Sequence, residues 1–183
     1  MDLSLLGFRA VSELFNIHPM FVHFPVAFLP GAFLLYGLGI LLKKPQLNAA
    51  GRACLYMAVA GALAALTTGL LAEGSFPHNA TIHNMMETHE TLAWLVLAIA
   101  GVLGAWSFFQ SEHRPKGAWA FLALLGLANL VLMQGADIGA RMVYLEGAAV
   151  KPAVSVIGAE EKPEGGREKP AAPAGHEGHE HQH

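Results

Sequence analysis

The stretch that decides the fold is residues 53–72, ACLYMAVAGALAALTTGLLA, which contains no charged side chain. A helix of about 20 residues crosses the roughly 30 Å hydrocarbon core of a bilayer. Comparable apolar stretches occur elsewhere, so the predicted spans are residues 20–42, 53–72, 91–110 and 117–136. Because every backbone group in lipid must be hydrogen-bonded within its own segment, these spans are helices rather than strands. The sequence predicts an all-α fold, a four-helix transmembrane bundle.

The composition agrees with a membrane protein and excludes several functions. The chain has 183 residues, of which 54% are hydrophobic and 14% are charged, a balance outside the range of ordinary soluble domains. The net charge is −3 and no dense run of Lys and Arg occurs, so nucleic acid is not an expected partner. Cys54 is the single cysteine, which excludes CxxCH haem attachment and multi-cysteine metal sites.

The charges of the loops predict the orientation. Lys43, Lys44 and Arg52 follow the first span, and Arg114 and Lys116 follow the third. Cytoplasmic loops carry such an excess of positive charge. The charged residues of the loop between the second and third spans are all acidic. This loop and both termini are therefore expected on the outer side of a bacterial inner membrane. No cleavable signal pattern is recognisable at the N-terminus, so the first span is expected to remain in the protein.

The predicted organisation has three parts: an interfacial segment at residues 1–19, a membrane domain at 20–150 and a disordered tail at 151–183. Small residues every four positions, Gly61, Ala65 and Gly69, predict close helix packing, and Gly101 and Ala105 offer a similar surface in the third span. Pro25 and Pro30 predict a kink in the first span. The tail ends in HEGHEHQH, which suits weak metal binding through four histidines, His176, His179, His181 and His183.

Polar side chains gather where three helix ends meet at the outer face. His18 could cap the first helix, whereas His23 lies among apolar residues and is a stronger candidate for a ligand or relay. His89 opens the third span. The other residues of this polar layer are His83, Glu87, Glu90, Asn129, Gln134, Asp137 and Arg141, with His78 and His113 expected in exposed loops. His83 and Glu87, like Asp137 and Arg141, are four residues apart and would share a helix face.

Three motifs carry a family resemblance: IHPMFVHFPVAFLP at 17–30, METHETLAWL at 86–95 and QGADIGARMVYLEGAAV at 134–150. Together they resemble a bacterial membrane family known as domain of unknown function 2231, over about residues 16–150. The resemblance implies four spans, with two histidines on the first helix and one at the third. These histidines would be His18, His23 and His89.

The leading functional hypothesis is a haem b protein that transfers electrons. His23 and His89 are the candidate axial ligands, with His18 as the substitute, because iron needs two imidazoles from facing helices. Arg141 is a candidate partner for a haem propionate, since its planar guanidinium matches a carboxylate. The expected partners, besides the lipid bilayer, are a quinol, a periplasmic cytochrome or the subunits of a respiratory complex.

Two alternatives stay open. A copper or zinc site could use His18, His23, His83, His89 and Glu87, with Met20, Met85 and Met86 favouring copper(I). A cofactor-free accessory subunit of a membrane complex would use the polar layer only for packing and docking. The chain has no nucleophile elbow, HExxH motif or Walker loop, so it is not expected to be an enzyme by itself, beyond a role as a redox carrier.

Overall fold

The computed structural model describes residues 17–73, 79–110 and 114–148. Four helices account for most of these residues: α1 at His18–Leu41, α2 at Pro45–Glu73, α3 at Ala80–Phe108 and α4 at Ala118–Tyr144. All four are long and apolar enough to cross a membrane. The predicted all-α bundle of four spans is therefore confirmed. Residues 1–16, the tail at 151–183 and both expected loop histidines, His78 and His113, lie outside the described residues.

The helices are longer than the apolar runs that predicted them. α2 begins at Pro45 rather than residue 53, and α3 begins at Ala80 rather than residue 91. Asn79 caps α3, because its side-chain oxygen accepts a hydrogen bond from the Ile82 amide at 2.9 Å. Hydropathy detects only the part of a helix that lies in hydrocarbon. The polar first turns of α3 and the last turns of α4 therefore escaped the sequence-based bounds.

The helices form a ring in which each packs against its two neighbours. α1 contacts α2, α2 contacts α3, α3 contacts α4, and α4 returns to α1, while the diagonal pairs make no comparable backbone contact in the described chain. The contacts are most extensive within the two hairpins, α1–α2 and α3–α4. α1 and α3 both begin at one end of the bundle, here called the His end. Side chains from these two diagonal helices can meet on the bundle axis.

The two hairpins are structural repeats of each other. Tyr36 of α1 and Ser107 of α3 are 71 residues apart, and other buried positions follow the same spacing. The matching pairs are Pro25 with Val96, Leu29 with Ala100, Ala32 with Leu103 and Tyr36 with Ser107. A spacing one residue shorter relates α2 to α4, as in Asn48 with Ala118, Gly51 with Phe121, Leu55 with Leu125, Ala58 with Ala128 and Ala65 with Gly135. The bundle therefore has an internal two-fold pattern.

Side-chain sizes compensate between the repeats. The Tyr36 ring packs so closely on Gly51 that a Cβ there would lie 2.9 Å from the ring. In the second hairpin the small Ser107 replaces Tyr36, and the large Phe121 replaces Gly51. The Tyr36 and Phe121 rings then meet edge to face with centroids 4.9 Å apart. Large and small residues thus exchange places between the hairpins, and both hairpins contribute to one core.

The predicted packing stripe of α2 is confirmed, whereas that of α3 is wrong. Gly61 and Ala65 are buried, and a Cβ on Gly61 would collide with the Cβ of Phe24 in α1. A Cβ on Gly101 would meet nothing within 4 Å, and Ala105 is exposed. Because these two residues line a surface groove beside α2, they leave space rather than bring helices together.

Candidate functional site

The His18 ring is held between α1 and α2 at the His end. Its Nδ1 lies 2.8 Å from the carbonyl oxygen of Ala65 and 3.4 Å from the hydroxyl oxygen of Thr68. A Cβ on Gly69 would lie 3.2 Å from the ring, so the imidazole rests directly on that glycine. Pro19, in the first turn of α1, favours the start of the helix beside His18. The ring is therefore positioned by a backbone acceptor and a glycine one turn further along α2.

The His89 ring has the same arrangement between α3 and α4. Its Nδ1 lies 2.8 Å from the carbonyl oxygen of Gly135, and a Cβ on Gly139 would lie 3.3 Å from the ring. Ala65 and Gly69 in α2 thus correspond to Gly135 and Gly139 in α4. The sequence separations of the two hydrogen bonds differ by only one residue, 47 against 46. The two histidines occupy equivalent positions of the structural repeat.

The two imidazoles lie close together across the bundle. Their ring centroids are 6.2 Å apart and their planes are nearly perpendicular, at 88°. Both rings are partly buried. Because α1 and α3 are diagonal helices, this pair joins the two hairpins at the His end. The site is thus formed by one histidine from each repeat.

The hydrogen bonds determine which nitrogen of each ring carries a proton. A backbone carbonyl can only accept, so Nδ1 must donate in both histidines. In the neutral ring the lone pair then lies on Nε2. A histidine that binds a metal through one nitrogen commonly donates its other N–H to a carbonyl, which fixes both tautomer and orientation. The pair has this tautomer on both sides.

The structure does not bring the remaining predicted ligands into this pair. His23 is exposed, on the side of α1 opposite the buried positions that continue from His18. His83 and Glu87 share a face of α3, as expected if the helix began early, and His83 Nε2 lies 3.4 Å from Glu87 Oε1 on the exposed surface. Within the described ranges no three side chains of His, Cys, Asp or Glu are placed to hold one metal ion.

The polar residues of α4 have separate positions. Asp137 and Arg141 are both exposed, and no ion pair joins them in the described part of the chain. Asn129 donates from Nδ2 to the Leu125 carbonyl at 2.8 Å and to the Leu29 carbonyl of α1 at 3.4 Å. The second of these hydrogen bonds joins α4 to α1. Gln134 is exposed.

Polar residues of α3 also hydrogen-bond outside the histidine pair. The Trp94 indole donates to Glu90 at 3.1 Å on the exposed side of α3. Glu90 therefore has a local partner four residues further along its own helix. It does not orient either imidazole through a hydrogen bond in the described chain.

Sequence reasoning missed the groups that orient the histidines. The carbonyls of Ala65 and Gly135 belong to small residues that carry no chemical signal of their own. The repeat was the available signal in the sequence. Ala65 follows His18 by 47 residues, and Gly135 follows His89 by 46 residues. Comparing the two hairpins would have shown that His18, rather than His23, is the counterpart of His89.

The comparisons with known proteins agree with the membrane fold. Residues 14–152 match a family model described as predicted membrane protein (DUF2231). This match includes all four helices and both histidines of the pair. No curated protein and no solved structure matches the chain.

Proposed function

The chain belongs to the DUF2231 family of predicted membrane proteins, and we propose that it binds one haem b between His18 and His89 and transfers electrons. The observation that carries this proposal is the pair of imidazoles, each with its Nδ1 bonded to a backbone carbonyl at 2.8 Å. A haem iron needs two axial ligands only, because the porphyrin supplies the other four nitrogens. Two oriented histidines from diagonal helices provide that ligand number.

The separation of the rings supports one metal between them. An imidazole nitrogen binds a first-row metal ion at about 2.0–2.1 Å, so rings on opposite sides of one ion have centres roughly 6 Å apart. The centroids of His18 and His89 are 6.2 Å apart. A bound haem would supply one-electron redox chemistry at this point. The protein supplies fixed tautomers, which keep both Nε2 lone pairs suited to a metal.

Two features around the pair support this proposal. The hairpins contact each other less than the helices within each hairpin do, so a porphyrin would lie between the hairpins. Arg141 is exposed near the same end of α4, where its guanidinium would bind a propionate carboxylate.

The test is a reduced-minus-oxidised visible spectrum of the detergent-purified protein, with haem measured per chain. The wild type and His23→Ala are expected to show equal b-type spectra, because His23 is exposed and makes a matched control on the same helix. His18→Ala and His89→Ala are expected to lose the spectrum. His89→Met adds a second readout, since a His/Met ligand pair raises the reduction potential. Loss of haem in His23→Ala but not in His18→Ala would contradict the proposal.

A copper(I) site is the second candidate, and the ligand number favours it over zinc. Structural zinc is almost always bound by four ligands, whereas the pair offers two. Copper(I) is a soft ion for which imidazole is a suitable ligand, and the 6.2 Å separation also suits an ion bridging the rings directly. Elemental analysis after removal of residues 151–183 separates this site from the histidine tail. Copper without a visible haem band would favour this candidate; neither cofactor would favour the accessory-subunit alternative.

The location that suits this function is the bacterial inner membrane with the His end and both termini outside, supported by the positive loops that follow α1 and α3. A periplasmic cytochrome or the subunits of a respiratory complex could then reach the histidine pair. Labelling tests this orientation after Cys54 is replaced by Ser. A membrane-impermeant thiol reagent should label Glu146→Cys from the periplasm and should not label Lys43→Cys in intact cells. The reverse pattern would contradict the orientation.

A further inference from the structure

Two surface grooves of the bundle are related by the structural repeat. One lies between α1 and α4, and the other lies between α2 and α3. Corresponding residues line them: Pro30, Phe33 and Leu34 in the first match Gly101, Gly104 and Ala105 in the second. The α1–α4 groove has a volume of about 810 Å³ and the α2–α3 groove about 480 Å³. Residues that differ between the two grooves are not explained by the repeat alone.

The grooves differ in two polar residues: the α2–α3 groove has Tyr56 where the α1–α4 groove has Gly126, and the α1–α4 groove has Asn129. This residue lines the α1–α4 groove, and its counterpart in the α2–α3 groove is Val59. The Asn129 amide nitrogen donates to two backbone carbonyls. Its Oδ1 has no hydrogen-bond partner within the described residues, although it lies near the middle of α4. A polar side chain at membrane depth is costly, and it commonly marks a functional contact.

We infer that the α1–α4 groove binds an isoprenoid quinol, whose head-group hydroxyl donates a hydrogen bond to Asn129 Oδ1. Phe33 and Trp119 provide flat aromatic surfaces in the groove, and its other lining residues are almost entirely apolar. A lipid acyl chain would fill the apolar part but has no donor for the carboxamide oxygen. A quinol has an aromatic ring, an apolar tail and a hydroxyl donor, and it dissolves in the same bilayer core.

The groove lies close to the histidine pair along α4. Asn129 precedes Gly135, the acceptor for His89, by six residues, or about 9 Å of helix rise. The role of the quinol as electron donor rests on the proposed haem function. A quinol oxidised there would lose two electrons and two protons as it becomes a quinone, and the single haem would accept the electrons one at a time, with reoxidation by a partner protein between them. Quinol binding itself does not depend on haem.

Binding is tested by isothermal titration of decylubiquinol, under argon, into the protein in lipid nanodiscs, with empty nanodiscs measuring partition into lipid. Asn129→Leu removes the acceptor and Val59→Leu is the matched control in the related groove. Loss of one hydrogen bond of about 0.5–1.5 kcal/mol weakens binding about twofold to tenfold. Leu130→Trp is a second variant, because Leu130 is 65% exposed and lines the groove, so a larger side chain blocks it without disturbing the core.

The inference predicts that wild type and Val59→Leu bind decylubiquinol equally, while Asn129→Leu and Leu130→Trp bind more weakly. The wild type should also prefer decylubiquinol to decylubiquinone, which has no hydroxyl donor, and Asn129→Leu should lose this preference. Equal binding by wild type and Asn129→Leu would overturn the inference. Binding that depends on Asn129 in a protein without haem would retain the quinol site and reject the proposed electron transfer to haem.

Discussion

The hydrogen bond between Tyr36 and Ser107 should measurably stabilise the bundle. Both side chains are 0% exposed, and their hydroxyl oxygens are 2.9 Å apart. The guanidinium of Arg52 also reaches the Tyr36 hydroxyl, so this polar cluster links three helices. Deleting either hydroxyl leaves its buried partner less well bonded, which costs about 1–3 kcal/mol. We expect Tyr36→Phe to cost more than Ser107→Ala, because Tyr36 interacts with both other residues.

A double-mutant cycle isolates the bond between the two hydroxyls. Hydrogen bonds between membrane helices have coupling energies of about 0.6 kcal/mol on average and at most about 1.7 kcal/mol. Full burial favours the upper part of that range, so we expect a coupling of about 1 kcal/mol between Tyr36→Phe and Ser107→Ala. The assay is reversible unfolding in mixed detergent and SDS micelles, followed by circular dichroism.

The histidine pair provides a control for the same variants, because it lies far from Tyr36 and Ser107. Tyr36 follows His18 by 18 residues, which corresponds to about 27 Å along α1. The visible spectrum and metal content should therefore stay unchanged in both single variants. Additive free energies of unfolding, with no coupling between the two substitutions, would refute the hydrogen bond as a stabilising contact. Loss of the cofactor in these variants would refute the expectation that the Tyr36–Ser107 contact and the His end are independent.

Three further predictions concern substitutions of glycines and of Arg141. Gly61→Ala should destabilise the bundle by about 1–3 kcal/mol through overpacking, whereas Gly101→Ala, where a Cβ meets nothing within 4 Å, should be neutral or slightly stabilising in the same unfolding assay. Gly139→Ala should push the His89 ring, because the new Cβ would lie 3.3 Å from it. Haem content and the electron paramagnetic resonance spectrum would reveal the changed ligand geometry. Arg141→Gln should retain the b-type spectrum but bind haem more weakly in a competition with apomyoglobin; equal affinity would exclude a propionate contact.

The number and type of helices could be predicted from the sequence because one physical requirement dominates them. An apolar stretch long enough to cross a bilayer is helical whatever its neighbours are. The ends of the helices follow different rules. α3 starts at the cap residue Asn79, within a polar segment that hydropathy assigns to a loop. The extension of α3 is what places His83 and Glu87 on one helix face.

The histidine pair could be predicted only in part. His18 and His89 were both expected in one polar layer. Choosing between His18 and His23 as the partner of His89 requires knowledge of which side of α1 is buried. α1 is apolar on all sides, so its hydrophobic pattern does not distinguish the face toward the bundle from the face toward lipid. His18 lies seven residues before Pro25 and eleven before Leu29, both buried. This helical spacing identifies His18 once the buried positions are known.

The structural repeat separates positions that serve packing from positions that serve the site. Where corresponding side chains of the two hairpins differ in size, a neighbouring position compensates. The large Tyr36 packs on Gly51, and in the second hairpin the small Ser107 is combined with the large Phe121. Asn129 differs from Val59 without any compensating donor for its carboxamide oxygen in the described chain. Two equal halves can hold one ligand between equivalent histidines, as we propose for His18 and His89. A second ligand that binds on one side only requires the halves to differ, and Asn129 provides such a difference in the α1–α4 groove.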